Sequence, residues 1–327
     1  MNDTRWDLLT FGESMLRLTP TNGQRVQDAA AFRATVGGTE SNVCVALTQL
    51  GRTCAWLSAL PTNVLGQRVA HEIGAHGVDV SRVIWTDDRL GLYFLEPGVA
   101  PRPARVLYDR ANSAVAMLDP MLIDADVVTR ARVVHLTGIT PALSTTAATI
   151  CTRLAERATA AGVPLSVDVN YRARLWDPAT ARAGLAGLLQ HATLLFCGAA
   201  DAATIWGHHG SAADVAAALL AHTGAQIAIV TDGGAGATAR TRDGQIMQQV
   251  ALPVQIVDPV GAGDAFAAGV LHAWLDHPTD LAAMLRSGTA LAALKMTVNG
   301  DHALTNAAEL AETIASIDAT APRDIDR

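Results

Sequence analysis

Short apolar runs alternate with longer amphipathic stretches along most of the chain. Asp7 to Phe11 predicts a first β-strand, and Thr39 to Leu50 predicts a helix that Gly51 ends. Further strand-like runs recur at Thr53–Leu57, Val133–Leu136, Pro164–Val169, Thr193–Cys197 and Gln226–Thr231. Helical patterns, such as Ser144–Ala161 and Ala212–His222, lie between most of these runs. This alternation predicts a mostly parallel sheet with helices on both faces.

Two stretches, Met15–Ala34 and Arg89–Arg110, break this alternation. Both contain short β-like segments that no helical pattern separates. We expect them to form a small antiparallel sheet, a lid, inserted in a single domain over residues 1–327. Because such a sheet alone would leave an apolar face in water, it should pack on the core, a ligand or a second copy. A homodimer joined through the lids is therefore expected.

Composition excludes some classes of protein. Hydrophobic residues make up 50% of the chain and aromatic residues 4%, which suits helices on a sheet better than an all-β sandwich. The formal net charge is −7 without a basic block, so neither nucleic acid nor a membrane is an expected partner. The four cysteines lack C-x-x-C spacing, and the amino-terminal residues resemble no signal peptide, so we expect a cytoplasmic protein with reduced thiols.

The strongest chemical signal is Asp-Pro-Val-Gly-Ala-Gly-Asp-Ala-Phe at positions 258–266, which precedes a helix of small apolar residues. Small residues at Gly261, Ala262 and Gly263 let the backbone approach a ligand, and the positive end of the helix dipole points there. These features predict an anion hole for a phosphoryl group in transfer. Asp264 would accept a proton from the attacking hydroxyl. A tight turn with an aspartate cap is the alternative.

A second glycine-rich turn, Thr-Asp-Gly-Gly-Ala-Gly-Ala, occupies positions 231–237. Part of it matches the dinucleotide fingerprint G-x-G-x-x-A, but that fingerprint opens a helix, whereas residues 238–244 have the pattern of a strand and a turn. A dinucleotide site is therefore not expected. A loop along the phosphates or adenine of ATP and a plain β-turn both remain open. No P-loop sequence, G-x-x-x-x-G-K-[ST], occurs in the chain.

Polar residues also stand at two other places where α/β proteins bind ligands. Gly37 and Gly38 precede the first helix, and Asn42 within it offers a donor and an acceptor to hydroxyl groups. An ordinary helix start is the alternative. Asp168 lies at the end of a predicted strand and Arg172 follows it, where open sheets bind ligands, and an arginine can bond a carboxylate or phosphate bidentately.

Tyr93, Tyr108 and Arg110 lie on the predicted lid. Arg110 suits a carboxylate on the substrate, because a charge-assisted contact is stronger than a neutral hydrogen bond. A surface ion pair of Arg110 with Asp109 or Glu96 is the competing interpretation, and it would not affect activity.

In chain order, these motifs resemble those of the ribokinase-like (PfkB) carbohydrate kinase family over almost the whole chain. The residues that carry the resemblance are Gly12-Glu13, Gly37-Gly38-x-x-x-Asn42, Asp168, Thr231-x-Gly233-x-x-Gly236 and Gly261-Ala-Gly-Asp264. Within the family, 2-keto-3-deoxygluconate kinases are the most similar, through Tyr108-x-Arg110-x-x-Ser113-Ala114, His135-Leu-Thr-Gly138, Asp168-Val-Asn-Tyr-Arg172-x-x-Leu-Trp176 and Gly300-Asp301. The resemblance implies a ribokinase-like α/β fold with a mostly parallel central sheet and a small β lid.

It also implies ATP-dependent phosphorylation of the terminal hydroxyl of a sugar acid, with Mg²⁺ bridging the phosphates and Asp264 as general base. The residues implied to bind the nucleotide are Asn170, Arg172, Thr231, Gly233, Gly236, Gly261 and Gly263. The residues implied to bind the sugar acid are Gly37, Gly38, Asn42, Tyr93, Tyr108, Arg110, Arg172 and Asp301.

Three positions depart from the family pattern. Where the family often has N-x-x-E, linked to phosphate-bound Mg²⁺, this chain has Gly198-Ala-Ala-Asp201, so Asp201 is the candidate metal ligand. G-x-D-x-x-G appears as Pro61-Thr-Asn63-Val-Leu-Gly66, and Asp232 stands where a neutral or basic residue is more usual. A kinase for a neutral sugar or for 5-dehydro-2-deoxygluconate, and a non-catalytic sugar-binding protein on the same fold, remain alternatives.

Overall fold

The computed structural model of the chain describes residues 6–98 and 101–317. The strands are β1 (Trp6–Phe11), β2 (Met15–Pro20), β3 (Phe32–Gly37), β4 (Cys54–Pro61), β5 (Val83–Thr86), β6 (Leu92–Glu96), β7 (Arg105–Asp109), β8 (Ala131–Thr137), β9 (Leu165–Asp168), β10 (Leu194–Gly198), β11 (Ile227–Thr231), β12 (Ala237–Thr241) and β13 (Ile246–Gln249). The helices are α1 (Thr39–Gln49), α2 (Val64–Ala75), α3 (Ala114–Met117), α4 (Thr145–Ala161), α5 (Pro178–Gln190), α6 (Ala199–Trp206), α7 (Ala212–His222), α8 (Ala262–Asp276), α9 (Leu281–Met296) and α10 (Ala307–Ile317).

A nine-stranded sheet forms the centre of the molecule, in the order β13-β12-β11-β10-β9-β8-β1-β4-β5. Every pair from β11 to β5 is parallel, and β12 and β13 add an antiparallel edge. The predicted parallel sheet is thus confirmed. Because parallel strands end at the same edge, the loops after β1, β9 and β10 share one side of the sheet.

Two large apolar clusters cover the two faces of this sheet. Leu8 belongs to one cluster and Leu9 to the other, as expected for neighbours on a strand that is buried on both faces. Phe266 of α8 packs in the cluster of Leu8, and Leu185 of α5 packs in the cluster of Leu9. The helices therefore hold the sheet from both sides.

The bounds of the observed helices agree closely with those predicted from the hydrophobic pattern. Capping residues next to them in the sequence set where the helices begin and end. The hydroxyl of Ser144 accepts a hydrogen bond from the amide of Ala147 at the start of α4, and Gly162, at a φ of 70°, ends it. The predicted helix over Ala212–His222 has the bounds of α7. Within residues 6–98 and 101–317, no helix is long and apolar enough to cross a membrane.

A second sheet, of four strands in the order β3-β2-β6-β7, is formed by the two predicted lid segments. The outer pairs are antiparallel, but the central pair, β2 with β6, is parallel, so the expected all-antiparallel sheet was wrong. The reason is that α1, β4, α2 and β5 intervene between β3 and β6, which gives the chain length for a crossover. The lid also extends beyond the predicted limit of Ala34, because β3 ends at Gly37.

Candidate active site

The start of α8 forms an open backbone site. Gly261 precedes the helix at a φ of 86°, and a Cβ atom there would lie 2.1 Å from the carbonyl oxygen of Asp301, so only glycine fits. No side chain caps the first turn, and a Cβ at Gly263 would meet no atom within 4 Å. The alternative of an aspartate-capped turn is therefore wrong: Asp264 lies in the third position of the helix. The amide of Ala262 donates to the carbonyl oxygen of Pro259 over 3.2 Å, whereas the amides of Gly263 and Asp264, which no side chain caps, are suited to an anion.

Asp264 is buried beside these amides. Its Oδ2 accepts a hydrogen bond of 2.6 Å from the Nδ2 of Asn42, on α1. Burial raises the pKa of the Asp264 carboxyl to about 7, although the Asn42 hydrogen bond and the positive charge of Arg172 oppose the rise. A carboxylate with a pKa near neutrality is a suitable general base.

A cleft of about 410 Å³ lies between this helix start, the strand ends and the lid. It brings together most of the site residues that the sequence predicts. Those that line it are Gly37, Gly38, Asn42, Tyr93, Tyr108, Arg110, Asn170, Arg172, Gly261, Gly263, Asp264 and Asp301. Thr231, Gly233, Gly236 and Asp201 are not among its lining residues. The remaining predicted residue, Ala262, lies between Gly261 and Gly263 in the chain.

The two glycines before α1 are needed for packing within the protein. A Cβ at Gly37 would lie 2.3 Å from Oδ2 of Asp301, and one at Gly38 would lie 2.3 Å from the carbonyl oxygen of Glu13. Close approach of protein groups thus accounts for both glycines, whereas the sequence analysis assigned them to contact with a ligand.

Arg110 does not form either of the surface pairs considered from the sequence. Asp109 pairs with Arg89, and Glu96 pairs with Arg25. Arg110 instead donates from Nε, over 2.8 Å, and from its terminal NH2 to Oε2 of Glu13. The Glu13 side chain is 3% exposed and that of Arg110 10% exposed, so this ion pair lies inside the cleft.

Arg172 is the other guanidinium that lines the cleft. Its one hydrogen bond in the structure goes from NH1 to the carbonyl oxygen of Tyr171, over 3.0 Å, and it forms no ion pair with the residues described. Its positive charge opposes the rise that burial causes in the pKa values of Asp168, Asp201 and Asp264. Arg172 is thus the cationic group of the cleft that carboxylates do not neutralise by direct contact.

Two more aspartates lie at the ends of neighbouring strands. Burial and the charges of Asp264 and Asp201 raise the pKa of Asp168, at the end of β9, to about 7. Asp201 is the third residue of α6, which follows β10; its Oδ2 accepts a hydrogen bond from the amide of Tyr171 over 3.2 Å, and burial raises the pKa of its carboxyl. No group of three potential metal-binding side chains occurs in the part of the chain that the structure describes. A divalent cation here would need ligands from phosphates and water.

The second glycine turn lies elsewhere on the same edge of the sheet. It joins β11 to β12, and a Cβ at Gly236, whose φ is 101°, would lie 2.0 Å from the carbonyl oxygen of Gln249. Because a strand follows the turn, the rejection of a dinucleotide fingerprint is confirmed. Gly236 and Asp232 line a separate, smaller pocket of about 210 Å³.

Comparison with known proteins decides the family. Residues 6–307 match the family model described as pfkB family carbohydrate kinase. The chain belongs to this family. It is therefore a sugar kinase of the pfkB type, as the sequence motifs predicted.

Three relatives are similar to this kinase over nearly its whole length. The 2-dehydro-3-deoxygalactonokinase of Haloferax volcanii is 39% identical over 96% of this chain and 98% of its own. The 2-dehydro-3-deoxygluconokinase of Bacillus subtilis is 32% identical over 90% and 91%. The crystal structure of the 2-dehydro-3-deoxygluconokinase of Thermotoga maritima superposes with a TM-score of 0.90, at 29% identity over 94% and 99% of the two chains.

The sugar kinase also contains a buried ionic network that the sequence analysis missed. Arg17 of β2 donates to Asp258 over 2.6 Å and to Asp301 over 2.7 Å, and the hydroxyl of Tyr93 donates to Asp301 over 2.5 Å. Lys295 donates from Nζ to the carbonyl oxygen of Asp258 over 2.9 Å. One signal was available: Arg17 shares a strand face with the apolar residue two positions before it, so the pattern places it inward.

Proposed function

We propose that this sugar kinase transfers the γ-phosphoryl group of ATP to the terminal hydroxyl of a 2-keto-3-deoxy sugar acid, 2-keto-3-deoxygluconate or its C4 epimer. The observation that carries the proposal is the buried carboxylate of Asp264 beside the open first turn of α8, in a cleft lined by two arginines. The names of the three relatives support a sugar acid as the substrate class.

In the proposed mechanism, Asp264 accepts the proton of the terminal hydroxyl as the hydroxyl oxygen attacks the γ-phosphorus of ATP, and the bond from that phosphorus to the β–γ bridging oxygen breaks to release ADP. The amides of Gly263 and Asp264 stabilise the negative charge that develops on the phosphoryl oxygens. ATP with Mg²⁺ supplies the phosphoryl group. Asp201 would hold the metal ion, because carboxylate oxygen is a ligand that Mg²⁺ prefers.

For nucleotide binding, we propose the residues at the ends of β9 and β11 together with the start of α8. Asn170 and Arg172 line the cleft on this side, and Gly233 leaves open space beside its backbone. Thr231 and Gly236 frame the same turn. A loop of this kind would lie along the nucleotide through its backbone.

On the sugar side, we propose that Arg110 binds the carboxylate, with help from Arg172. Glu13 uses two donors of the Arg110 guanidinium. An arginine has five N–H donors, so the others can serve a substrate. Tyr108 offers its hydroxyl to the hydroxyl groups of the sugar. The hydroxyl of Tyr93 already donates to Asp301, so only its oxygen can accept from the sugar, and one amide hydrogen of Asn42 is likewise used by Asp264.

One observation favours a second candidate, a kinase for a neutral sugar. Because Glu13 neutralises Arg110 within the cleft, that arginine attracts an anion less strongly than an unpaired one would. A non-catalytic sugar-binding protein is disfavoured by the intact Asp264 and the open helix start.

The test is ATP turnover with 2-keto-3-deoxygluconate, 2-keto-3-deoxygalactonate, 5-dehydro-2-deoxygluconate and fructose. We expect kcat/KM to be highest for one of the two 2-keto-3-deoxy acids. A higher kcat/KM for fructose would overturn the sugar-acid proposal in favour of a neutral-sugar kinase. Absence of turnover with all four sugars would contradict both.

We also propose that the kinase forms a homodimer through its lids. Leu107 on β7 is 58% exposed and Tyr108 beside it is 37% exposed, so this edge strand presents apolar surface to water. Light scattering at micromolar concentration should give twice the mass of the chain. A monomer under these conditions would contradict the proposal.

A further inference from the structure

We propose that Arg17 is a positioning residue that couples the sugar side of the cleft to the phosphoryl-transfer side. The inference rests on the proposed function only in assigning the sugar to the lid and the phosphoryl group to the start of α8. Arg17 itself touches neither proposed substrate.

The contacts of Arg17 join the lid to both parts of the backbone that form the anion hole. Its guanidinium bridges two carboxylates, those of Asp258 and Asp301, and all three side chains are 5–6% exposed. Asp258 begins the loop that leads into α8. The carbonyl oxygen of Asp301 lies directly behind Gly261, the residue whose positive φ sets the start of that helix.

A second contact from the lid reaches the same place. Arg17 and Tyr93 are direct neighbours in the parallel register of β2 and β6. The hydroxyl of Tyr93 donates to Oδ2 of Asp301, and NH1 of Arg17 donates to Oδ1. The two central strands of the lid therefore hold one carboxylate between them.

The loop at the other end of these contacts is itself tightly held. The carboxylate of Asp258 also accepts the amides of Val260 and Gly300, each over 3.1 Å. The buried ammonium of Lys295 bonds the carbonyl oxygens of Asp258 and Val298. A displacement of Arg17 would thus be transmitted to the backbone around Gly261, because buried hydrogen bonds within the protein hold each of these groups in place.

Coupling between the two substrates follows from this arrangement. Met15 and Tyr93 of the lid line the cleft together with Gly261 and Asp264. A sugar that orders the lid therefore orders the anion hole through Arg17, and a bound nucleotide orders the lid in return. Such coupling is reciprocal, so each ligand should tighten the binding of the other by the same factor.

The experiment measures the Kd of Mg²⁺ with AMP-PNP, a non-hydrolysable ATP analogue, by calorimetry, with and without a saturating sugar. The sugar is the one that the wild-type kinase phosphorylates best in the panel above, so an error in the identity of the substrate is detected there. The variants are Arg17→Lys and Arg17→Met. The matched control is Arg25→Met, which removes a lid arginine whose ion pair with Glu96 stays within the lid.

We expect the sugar to lower the Kd of the nucleotide at least fivefold in the wild type and in Arg25→Met. In Arg17→Lys the ratio of the nucleotide Kd without sugar to the Kd with sugar should fall close to one. The reason is that a single ammonium group cannot hold two carboxylates in the geometry of a guanidinium fork. The KM of Arg17→Lys for ATP at saturating sugar should rise by the same factor, at least about fivefold, because the sugar no longer tightens nucleotide binding, whereas a loss of folded protein alone would lower the apparent kcat and leave KM unchanged.

Arg17→Met leaves two buried carboxylates without their cation, so it is expected to fold less well, and Arg17→Lys carries the test. If Arg17→Lys also fails to fold, Tyr93→Phe, which removes only the hydroxyl that bonds Asp301, should reduce the ratio partially. A wild-type ratio of one, or a folded Arg17→Lys variant with the wild-type ratio, would overturn the proposal. A Tyr93→Phe variant with the wild-type ratio would overturn it in the same way.

Discussion

Two pairs of aspartates at or beside the cleft have different partners; three of the four are buried, and Asp168 is half-buried. Asp258 and Asp301 share the guanidinium of Arg17. Asp264 and Asp168 form no ion pair with the residues that the structure describes; their hydrogen bonds come from an amide of Asn42 and from a backbone amide. The pKa values of both are raised to about 7. The protein neutralises the carboxylates that hold its backbone and leaves under-neutralised the pair that contains the proposed general base, Asp264.

This difference has an energetic meaning. Burying an ionised carboxylate is costly unless a cation and hydrogen bonds compensate it. At Asp258 and Asp301 the compensation is built in. At Asp264 the cost remains in the folded kinase, and it raises the pKa of the group to the range where a general base works best.

The largest effect is expected for Asp264→Asn on activity. The variant removes the proposed proton acceptor but can still accept the hydrogen bond of Asn42, so kcat should fall by about 10²–10⁴-fold with the fold intact. Steady-state kinetics and circular dichroism check both parts. Asp126→Asn, at an exposed aspartate, is the control. Near wild-type turnover of Asp264→Asn would remove the catalytic assignment.

The next effect concerns stability. Asp301→Ala should lower the free energy of unfolding by about 3–5 kcal/mol, because it breaks a buried ion pair and leaves Arg17 and Tyr93 short of a partner. Asp126→Ala, which breaks the exposed pair with Arg157, should cost at most about 1 kcal/mol. Urea unfolding measures the two. Equal losses would mean that the buried network has no special structural role.

In contrast to Asp301→Ala, Asp264→Asn should raise the free energy of unfolding of the kinase at pH 8. A carboxyl whose folded pKa is raised contributes stability that is fully present below its unfolded pKa, near 4, and is lost as the pH rises through about 7. Asparagine has no such loss, so the variant should gain up to about 4 kcal/mol at pH 8, at about 1.4 kcal/mol per pKa unit, and almost nothing at pH 4. Unfolding curves at both pH values test this; a variant less stable than the wild type at pH 8 would contradict it.

A smaller effect distinguishes carboxylate binding by Arg110 from the neutral-sugar alternative. Arg110→Ala should cost about 1.5–3 kcal/mol in kcat/KM on 2-keto-3-deoxygluconate, the value of a hydrogen bond to a charged group, and much less on fructose. Arg110→Lys, which keeps the charge but not the fork, should lose an intermediate amount on the acid. Equal losses on both sugars would count against carboxylate binding by Arg110.

The sequence was sufficient for the parallel sheet and the glycine loop because both depend on local patterns. Alternation between strand and helix predicted the sheet. The observed β4 differs from its predicted run mainly because it extends to Pro61, four residues beyond the predicted end, and all of its positions are buried. The start of α8 was predicted from three adjacent small residues. Both features need only neighbours along the chain.

The partners of the charged residues could not be predicted in the same way. Glu13 meets Arg110 across 97 positions of sequence, and Arg17 meets Asp301 across 284. Such pairs depend on how the lid lies against the core, and the parallel register of β2 with β6 that places Arg17 next to Tyr93 was itself missed. The one local signal was the inward position of Arg17 on its strand.

The most direct test of Asp264 as general base is the pH dependence of kcat/KM for the preferred sugar acid, measured from pH 5 to pH 9. Since kcat/KM reports the free enzyme, and since burial raises the pKa of Asp264 to about 7, activity should fall about tenfold per pH unit below pH 7 and level off above it. A value of kcat/KM that stays constant from pH 5 to pH 7 would contradict the account.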